Sequence, residues 1–248
     1  MLLSLRGISK RFGPVQALTD VDLDVPAGKV TALIGDNGAG KSSLIKTVSG
    51  LWGPDQGEIR WHGKHVHLSG PRDAEDLGIK TIYQDLALCE NLDIVQNMFL
   101  GHELLRGLTL DEGTMELKAR ETLQNLSVTT VRSIRQPVAS LSGGQRQSVA
   151  VAKAVMTNAE LVIMDEPTAA LGVAQTKMVL ELIKNLASRG VAVLVISHNL
   201  VDVFEVADRI AVLYLGRLAV AGPASDFNRQ NAVEYMTTGT AGQVAGAA

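Results

Sequence analysis

Residues 35–42 have the types and spacing of a phosphate-binding loop. They read Gly-Asp-Asn-Gly-Ala-Gly-Lys-Ser and match the pattern G-x-x-x-x-G-K-[ST] at every position. The glycines of this pattern let backbone N–H groups close around phosphate oxygens. We therefore predict that Lys41 reaches the β- and γ-phosphates of a nucleotide and that the Ser42 hydroxyl binds Mg²⁺. The predicted cofactor-binding residues here are Gly35, Asp36, Asn37, Gly38, Ala39, Gly40, Lys41, Ser42 and Ser43.

Two adjacent carboxylates, Asp165 and Glu166, follow the apolar run of residues 161–164. Neighbouring strand residues point to opposite faces, so both side chains reach one ligand only if regular strand geometry ends here. Pro167 favours such a break, because proline does not continue a central strand. The alternative is that both are solvated carboxylates in a loop.

The elements that must position these residues are predicted from the hydrophobic pattern. Short apolar runs separated by helical segments predict a largely parallel buried sheet, with strands at residues 30–34, 161–164, 191–196 and 210–214. Residues 41–51 are predicted to form a helix whose N-terminal N–H groups face the phosphates.

Other segments predict a small β region and a helical insertion. Alternating apolar and acidic residues predict a half-buried strand at residues 20–25, and residues 57–68 are predicted as a hairpin. A strand at residues 79–83 leads to Gln84. Apolar residues at three- and four-residue spacing predict helices at residues 92–102 and 111–126, within a helical subdomain inserted at about residues 85–155.

Composition restricts the class of protein. The 248 residues, 46% of them hydrophobic, suit one domain, and their apolar runs fall far short of a membrane span. A formal charge of −3 gives no basic field, so we expect no nucleic-acid partner. Cys89 has no second cysteine to pair with, and the first residues lack the apolar core of a signal peptide, so we expect a cytosolic chain.

A third motif, Leu-Ser-Gly-Gly-Gln at residues 141–145, lies between the loop and the carboxylates. In this order and spacing, the three motifs resemble those of the ATP-binding cassette (ABC) family, whose own signature is LSGGQ. The resemblance covers residues 1–236 as one nucleotide-binding domain, and residues 237–248 are expected to be a flexible tail. It implies an α/β P-loop NTPase with a RecA-like core of largely parallel sheet, an N-terminal antiparallel β subdomain and an inserted helical subdomain.

The resemblance also implies catalytic roles for four side chains. Asp165 is expected to hold the Mg²⁺ shell and Glu166 to be the general base that polarises the attacking water. Gln84 resembles the glutamine that contacts the metal or that water, and His198 the histidine that contacts the γ-phosphate. Without the family context, a histidine after a strand is more often a polar surface residue.

Phe12 resembles the aromatic residue that stacks on adenine, with Val15 as its apolar flank, and core packing is the alternative. Ser142, Gly143, Gly144 and Gln145 are predicted at a helix N-terminus suited to an anion. In the family this motif closes on the γ-phosphate held by a second cassette. A single cassette therefore implies a dimer with ATP in the interface, here most simply a homodimer.

Three segments, at residues 82–88, 97–101 and 169–172, resemble the ATPases of bacterial simple-sugar importers. This implies a Mg²⁺-dependent ATPase at the cytoplasmic face of the membrane, with a separate permease and, indirectly, a sugar-binding protein. The alternatives are an ATPase subunit for another substrate or an exporter, and a soluble regulator without a transport role. Gly172 stands where many cassettes have Asp, which weakens any inference about coupling through that position. The apolar face at residues 92–100 is either core or a permease-binding surface.

Overall fold

Strands and helices alternate along most of the chain, and the computed structural model describes residues 1–240 of it. The strands are β1 (Leu3–Phe12), β2 (Val15–Val25), β3 (Val30–Ile34), β4 (Gln56–Trp61), β5 (Lys64–Val66), β6 (Ile79–Ile82), β7 (Leu105–Arg106), β8 (Thr109–Leu110), β9 (Leu161–Asp165), β10 (Ala192–Ile196), β11 (Arg209–Tyr214) and β12 (Arg217–Pro223). The helices are α1 (Lys41–Val48), α2 (Pro71–Asp76), α3 (Ile94–Phe99), α4 (Glu112–Asn125), α5 (Gly143–Met156), α6 (Val173–Ser188), α7 (Leu200–Val206) and α8 (Arg229–Thr238). Among residues 1–240, no helix combines the length and apolar character needed to cross a membrane.

A six-stranded sheet lies at the centre, in the order β12-β11-β3-β10-β9-β6. Its strands run parallel except β12, which pairs antiparallel with β11. Strands β3 and β10 are buried along their whole length, because mainly apolar residues face packed elements on both sides. The prediction of a largely parallel buried sheet is therefore confirmed.

A second sheet, in the order β2-β1-β4-β5, is antiparallel throughout. The predicted strand at residues 20–25 is the second half of β2, and the predicted hairpin corresponds to β4 and β5. Leu5 and Ile59 of this sheet belong to one apolar cluster with Ile163 and Ile196 of the central sheet. One face of the central sheet is thereby covered.

The other face is covered by the helical part of the chain. Met98 of α3 and Val149 of α5 share an apolar cluster with Val162 and Met164 of β9. Because side chains alternate across a strand, Ile163 between them faces the opposite cluster. The predicted inserted helical segment therefore consists of α3, α4 and α5 with the β7-β8 hairpin, packed directly on the sheet that carries the site.

The predicted helix at residues 92–102 is shorter in the structure. It begins after Asp93, whose side chain accepts a hydrogen bond from the Gln96 backbone N–H in a capping box. Its apolar residues are buried, Met98 at 0% exposure and Phe99 at 3%, so this face is core rather than a permease-binding surface. Leu100, just after the helix, is the exposed exception at 40%.

Two predicted boundaries differ from those in the structure. Helix α1 ends at Val48, three residues before the predicted end, and Gly50 follows with φ +74°. Helix α8 continues to Thr238, into the predicted tail of residues 237–248. Most of that tail, residues 241–248, lies outside the described residues.

Candidate nucleotide-binding site

One edge of the central sheet gathers the predicted site. Strands β3, β6, β9 and β10 are parallel neighbours, so their carboxyl ends lie at the same edge. The phosphate loop follows β3, Gln84 follows β6, Glu166 follows β9 and His198 follows β10. Residues far apart in the sequence are brought together because four strand ends are level.

A cavity of about 670 Å³ opens at this edge, within the range typical of ligand sites. Of the predicted residues, its lining includes Phe12, Val15, Asn37, Gly38, Gly40, Lys41, Ser42, Ser43, Gln84, Asp165 and Glu166. It also includes Gln16, Ala17, Trp52, Leu215 and Gly216, which the sequence did not single out. Gly35, Asp36 and Ala39 belong to the same loop but do not line the cavity.

Lys41 is folded back over the loop that precedes it. Its Nζ donates hydrogen bonds to the backbone carbonyls of Gly35, at 2.6 Å, and Asp36, at 3.0 Å. Burial lowers the pKa of the Lys41 ammonium group, while the carboxylates of Glu166, Asp36 and Asp165 oppose that shift. A largely buried cation bordered by carboxylates is suited to bind the polyphosphate of a nucleotide.

Gly40 shows why the loop requires glycine before Lys41. Its φ is +104°, a conformation that other residues rarely adopt. A Cβ atom there would lie 2.7 Å from the carbonyl oxygen of Ala17, which is backbone and does not yield easily. The same backbone turn starts α1 at Lys41, so the helix N-terminus points its free N–H groups at the cavity.

The acidic pair meets the geometric condition set by its sequence. Strand β9 ends at Asp165, and Glu166 turns away with φ +50°, which brings both carboxylates to one cavity. Burial raises the pKa of the Asp165 carboxyl, and the charge of Glu166 raises it further, against the charges of Lys41 and Lys46. A carboxyl whose ionised form is disfavoured in the free protein gains most from a nearby cation.

His198 contacts the site only through the side chain of Glu166. Its Nδ1 lies 2.7 Å from Oε1 of Glu166, although it does not itself line the cavity. The Glu166 backbone N–H donates to the carbonyl of Ile196, at 2.9 Å, on the strand that leads to His198. The ends of β9 and β10 are therefore joined by one backbone and one side-chain contact.

Trp52 is a cavity residue that no sequence motif marks. Its ring lies 4.5 Å from that of Phe12, centroid to centroid, at an interplanar angle of 64°. The Lys46 Nζ lies 4.7 Å from the Trp52 ring centroid, a favourable cation–π geometry. Phe12 is 36% exposed, so the alternative of core packing is wrong for it, and its predicted flank Val15 is 61% exposed. In the sequence, Trp52 is marked only by its place shortly after the end of α1.

A family model described as ABC transporter matches residues 18–169. The chain belongs to the ABC transporter family. It is 49% identical to the fructose import ATP-binding protein FrcA of Rhizobium meliloti, over 95% of this chain and 94% of that one. It is 45% identical to the xylose/arabinose import ATP-binding protein XylG of Sulfolobus acidocaldarius, over 98% and 96% of the two chains.

Another relative is longer than this ABC protein. The ribose import ATP-binding protein RbsA 1 of Rubrobacter xylanophilus is 42% identical over 95% of this chain but only 46% of its own length. Among solved structures, the ATP-binding cassette MJ1267 has a TM-score of 0.82 at 26% identity, over 94% of this chain and 96% of that one. MJ1267 in its ADP conformation has a TM-score of 0.80, also at 26% identity, over 96% and 95%.

The cavity of about 670 Å³ is called the nucleotide cavity below. The ABC signature residues lie apart from it in their own chain. Helix α5 begins at Gly143, and Ser142 and Gln145 form its capping box, each side chain accepting from the other's backbone N–H. A Cβ at Gly143 would lie 2.7 Å from Cδ2 of Leu171, and one at Gly144 would lie 3.1 Å from Cβ of Gln175. The two glycines therefore permit close packing of α5 on the loop and helix that follow Glu166.

Gly143 lines a separate cavity of about 310 Å³ together with Gln84, Glu166 and Leu171. Gln84 and Glu166 line both this cavity and the nucleotide cavity. Of the four predicted signature residues, Ser142, Gly144 and Gln145 line neither. The structure thus places the signature helix beside the loops that carry Gln84 and Glu166 and away from the phosphate loop.

Proposed function

We propose that this ABC protein is the ATP-hydrolysing subunit of an importer that takes up a simple sugar through a separate membrane permease. The observation that carries the proposal is the convergence of Lys41, Ser42, Gln84, Asp165 and Glu166 on one cavity. A cation, a hydroxyl, an amide and two carboxylates are the groups required to hold a nucleoside triphosphate and hydrolyse it.

The donor set fits Mg²⁺ as the metal partner of ATP. Mg²⁺ prefers oxygen ligands and usually takes one or two from protein and the rest from phosphate and water. Ser42 and Asp165 supply a hydroxyl and a carboxylate, and Gln84 an amide oxygen, in the same cavity. Residues 1–240 contain no group of three or more His, Cys, Asp or Glu placed to hold a metal by themselves. When bound, Mg²⁺ would neutralise phosphate charge as the γ-phosphoryl group is transferred.

The remaining side chains have separate tasks in hydrolysis. Lys41 and the N–H groups of its loop hold the phosphates, and Phe12 packs against the base. Glu166 accepts a proton from the attacking water, and His198 orients the Glu166 carboxylate through their 2.7 Å contact. Because His198 is largely exposed, at 65% of its side chain, it is accessible to a phosphate bound beside it.

The signature residues are supplied by a second copy of the chain. Ser142, Gly143 and Gly144 form a capped helix N-terminus, which favours an anion, but they do not line their own nucleotide cavity. A head-to-tail pair of chains brings each signature to the other's nucleotide. ATP then stabilises the closed dimer, and hydrolysis releases it.

The permease is assigned to a cavity of about 240 Å³ between β6 and α5. Its lining mixes the apolar residues Ile82 and Leu86 with the cations Lys80 and Lys153. Leu86 and Ala87, two and three residues after Gln84, have φ of +59° and +46°, so a partner here contacts the segment that carries a catalytic amide. With the permease bound there, we propose that the chain lies peripherally, on the cytoplasmic face of the membrane.

The substrate class rests on the relatives. FrcA, XylG and RbsA 1 are named for import of fructose, xylose or arabinose, and ribose, so a monosaccharide is the expected cargo. The permease and the sugar-binding protein contact the sugar, and this chain does not. The sugar is therefore to be identified through the partners.

The test is purification of the tagged chain from its native membrane, followed by identification of the proteins that remain bound. We expect a polytopic permease and a sugar-binding protein, together with MgATP hydrolysis. Deletion of the chain should abolish uptake of one monosaccharide from a panel, and the wild-type chain should restore it. Recovery with soluble partners alone would indicate a cassette regulator instead of an importer subunit. A defect in export instead of uptake would indicate an exporter subunit.

A further inference from the structure

A buried carboxylate that the proposed mechanism does not use lies between the segments that follow Glu166 and His198. Asp202, in the first turn of α7, is 7% exposed, and its Oδ2 accepts a hydrogen bond of 2.6 Å from Oγ1 of Thr168. Thr168 is two residues after Glu166, and Asp202 is four residues after His198. The bond therefore joins the two segments that carry the catalytic carboxylate and its histidine.

Each end of this bond is connected to a catalytic residue through a short segment that is closed by a local hydrogen bond. On one side, the Ala169 N–H donates to the carbonyl of Glu166 at 3.1 Å, which makes residues 166–169 a compact turn. On the other side, the Asn199 side chain accepts from the Val201 N–H at 3.0 Å and starts α7 directly after His198. Movement of Thr168 against Asp202 would thus change the distance between Glu166 and His198.

We propose that Thr168 and Asp202 are positioning residues that hold Glu166 and His198 in the relative position that hydrolysis requires. The inference rests on the proposed ATPase function and adds two residues to it. Neither side chain lines the nucleotide cavity, so neither contributes to ATP affinity directly. Their effect is on the geometry of proton transfer, where a displacement of about 1 Å costs roughly 100-fold in rate.

The same turn leads to the signature helix. Leu171 donates its backbone N–H to the carbonyl of Thr168, at 3.3 Å, and its side chain lies against Gly143. The Thr168–Asp202 bond therefore fixes the turn from which Leu171 contacts α5. In a closed dimer, movement of the signature helix would reach Glu166 through this turn.

The test measures MgATP hydrolysis by the full chain, with kcat and KM determined separately. Thr168→Val removes the hydroxyl at constant shape and is expected to lower kcat roughly tenfold or more, with KM within about twofold of wild type. Thr168→Ser keeps the hydroxyl and is expected to restore kcat. If the valine variant does not fold, Thr168→Ala removes the same group without extra bulk and is expected to give the same loss.

A matched control exists at the start of α4. Thr114 Oγ1 donates to Asp111 Oδ2 at 2.8 Å, far along the chain from the site. Thr114→Val removes an equivalent bond and is expected to leave kcat unchanged. An equal fall of kcat in Thr114→Val and Thr168→Val would mean a general loss of stability and would overturn the proposal.

A double-mutant cycle tests whether the two residues act through one bond. Asp202→Ala should also lower kcat, and the Thr168→Val/Asp202→Ala double variant should be no slower than the slower single variant. Losses that multiply would overturn the proposal, and so would a wild-type kcat in Thr168→Val. Absence of hydrolysis in the wild-type chain would instead contradict the proposed function itself.

Discussion

Nδ1 of His198 and Oε1 of Glu166 lie 2.7 Å apart, across the carboxyl ends of two adjacent parallel strands. The Glu166 side chain is 16% exposed, while the histidine side chain is 65% exposed. One residue of the pair is thus held within the protein and the other faces outward. This asymmetry suits a base that acts inside the cavity and a partner that approaches the phosphate from outside.

Replacement of Glu166 separates ATP binding from hydrolysis. Glu166→Gln keeps the size of the side chain but removes the proton acceptor, so hydrolysis should slow by about 100-fold or more. ATP affinity should persist, because Lys41 and its loop are unchanged, and an ATP-bound dimer should accumulate. Turnover assays and size-exclusion chromatography with ATP measure the two effects.

Glu160 provides a control of the same chemistry for that variant. Its Oε2 lies 2.8 Å from Nε2 of His62, a second Glu–His contact remote from the nucleotide cavity. Glu160→Gln should therefore hydrolyse ATP at the wild-type rate. Wild-type turnover in Glu166→Gln as well would remove Glu166 as the general base.

Local sequence pattern predicts the strands that carry the candidate site. The strands that lead to the phosphate loop, to Asp165 and to His198 follow from apolar runs, and the structure has strands at those places. The Glu166–His198 contact depends on which strands become neighbours, and strand order is a long-range property that no local pattern encodes. The Phe12–Trp52 pair was missed for the same reason, since it joins the end of β1 to the loop after α1.

Two errors have local physical causes. Helix α1 was predicted to extend past Val48 because the apolar pattern continues, but Gly50 adopts φ +74° and ends it. Strand β1 was not recognised, although Leu3, Leu5 and Ile8 are fully buried. Its pairing with β2 shifts register after Leu5, so the period-2 pattern is interrupted there.

Gly40 should tolerate no side chain. Gly40→Ala places a methyl group 2.7 Å from the Ala17 carbonyl in a backbone conformation with φ +104°, so the loop must distort. Stability should fall by about 1 kcal/mol or more, and ATP affinity should fall with it. Urea unfolding and nucleotide titration measure both quantities.

Gly53 is the matched control for this substitution. A Cβ at Gly53 would meet nothing within 4 Å. Gly53→Ala should therefore leave ATP affinity unchanged and should not destabilise the fold, because it restricts only the unfolded chain. If Gly40→Ala behaved like Gly53→Ala, the loop would not require the backbone conformation seen here.

Asp165 should make the nucleotide-free protein less stable at neutral pH. Its folded pKa is raised by burial and by Glu166, so the ionised carboxylate is disfavoured above that pKa. This penalty disappears as the pH falls through the folded pKa towards the unfolded value of about 4. Asp165→Asn should therefore raise stability at neutral pH, with a gain that shrinks near pH 4, while Mg²⁺-dependent ATP binding is lost.

Denaturation of the wild-type and Asp165→Asn proteins between about pH 4 and neutral pH measures whether the substitution raises or lowers stability. The exposed Asp85 supplies a control, since Asp85→Asn should change stability by less than about 0.5 kcal/mol at each pH. A loss of stability in Asp165→Asn at neutral pH would show that the carboxylate is favourably paired in the free protein.

Trp52 should report nucleotide binding by its own fluorescence. It lines the nucleotide cavity beside Phe12, whereas Trp61, in β4, is 6% exposed and lies in the core between the sheets. A base that packs against Phe12 changes the surroundings of Trp52, so ATP should alter the emission, and Trp52→Phe should abolish that response while ATP still binds. Phe12→Ala should weaken ATP binding by roughly 1 kcal/mol or more, the scale of one lost aromatic contact, and Phe12→Tyr should retain it. An ATP-dependent change that survives in Trp52→Phe would come from Trp61 and would place the nucleotide response in the core instead of at this aromatic pair.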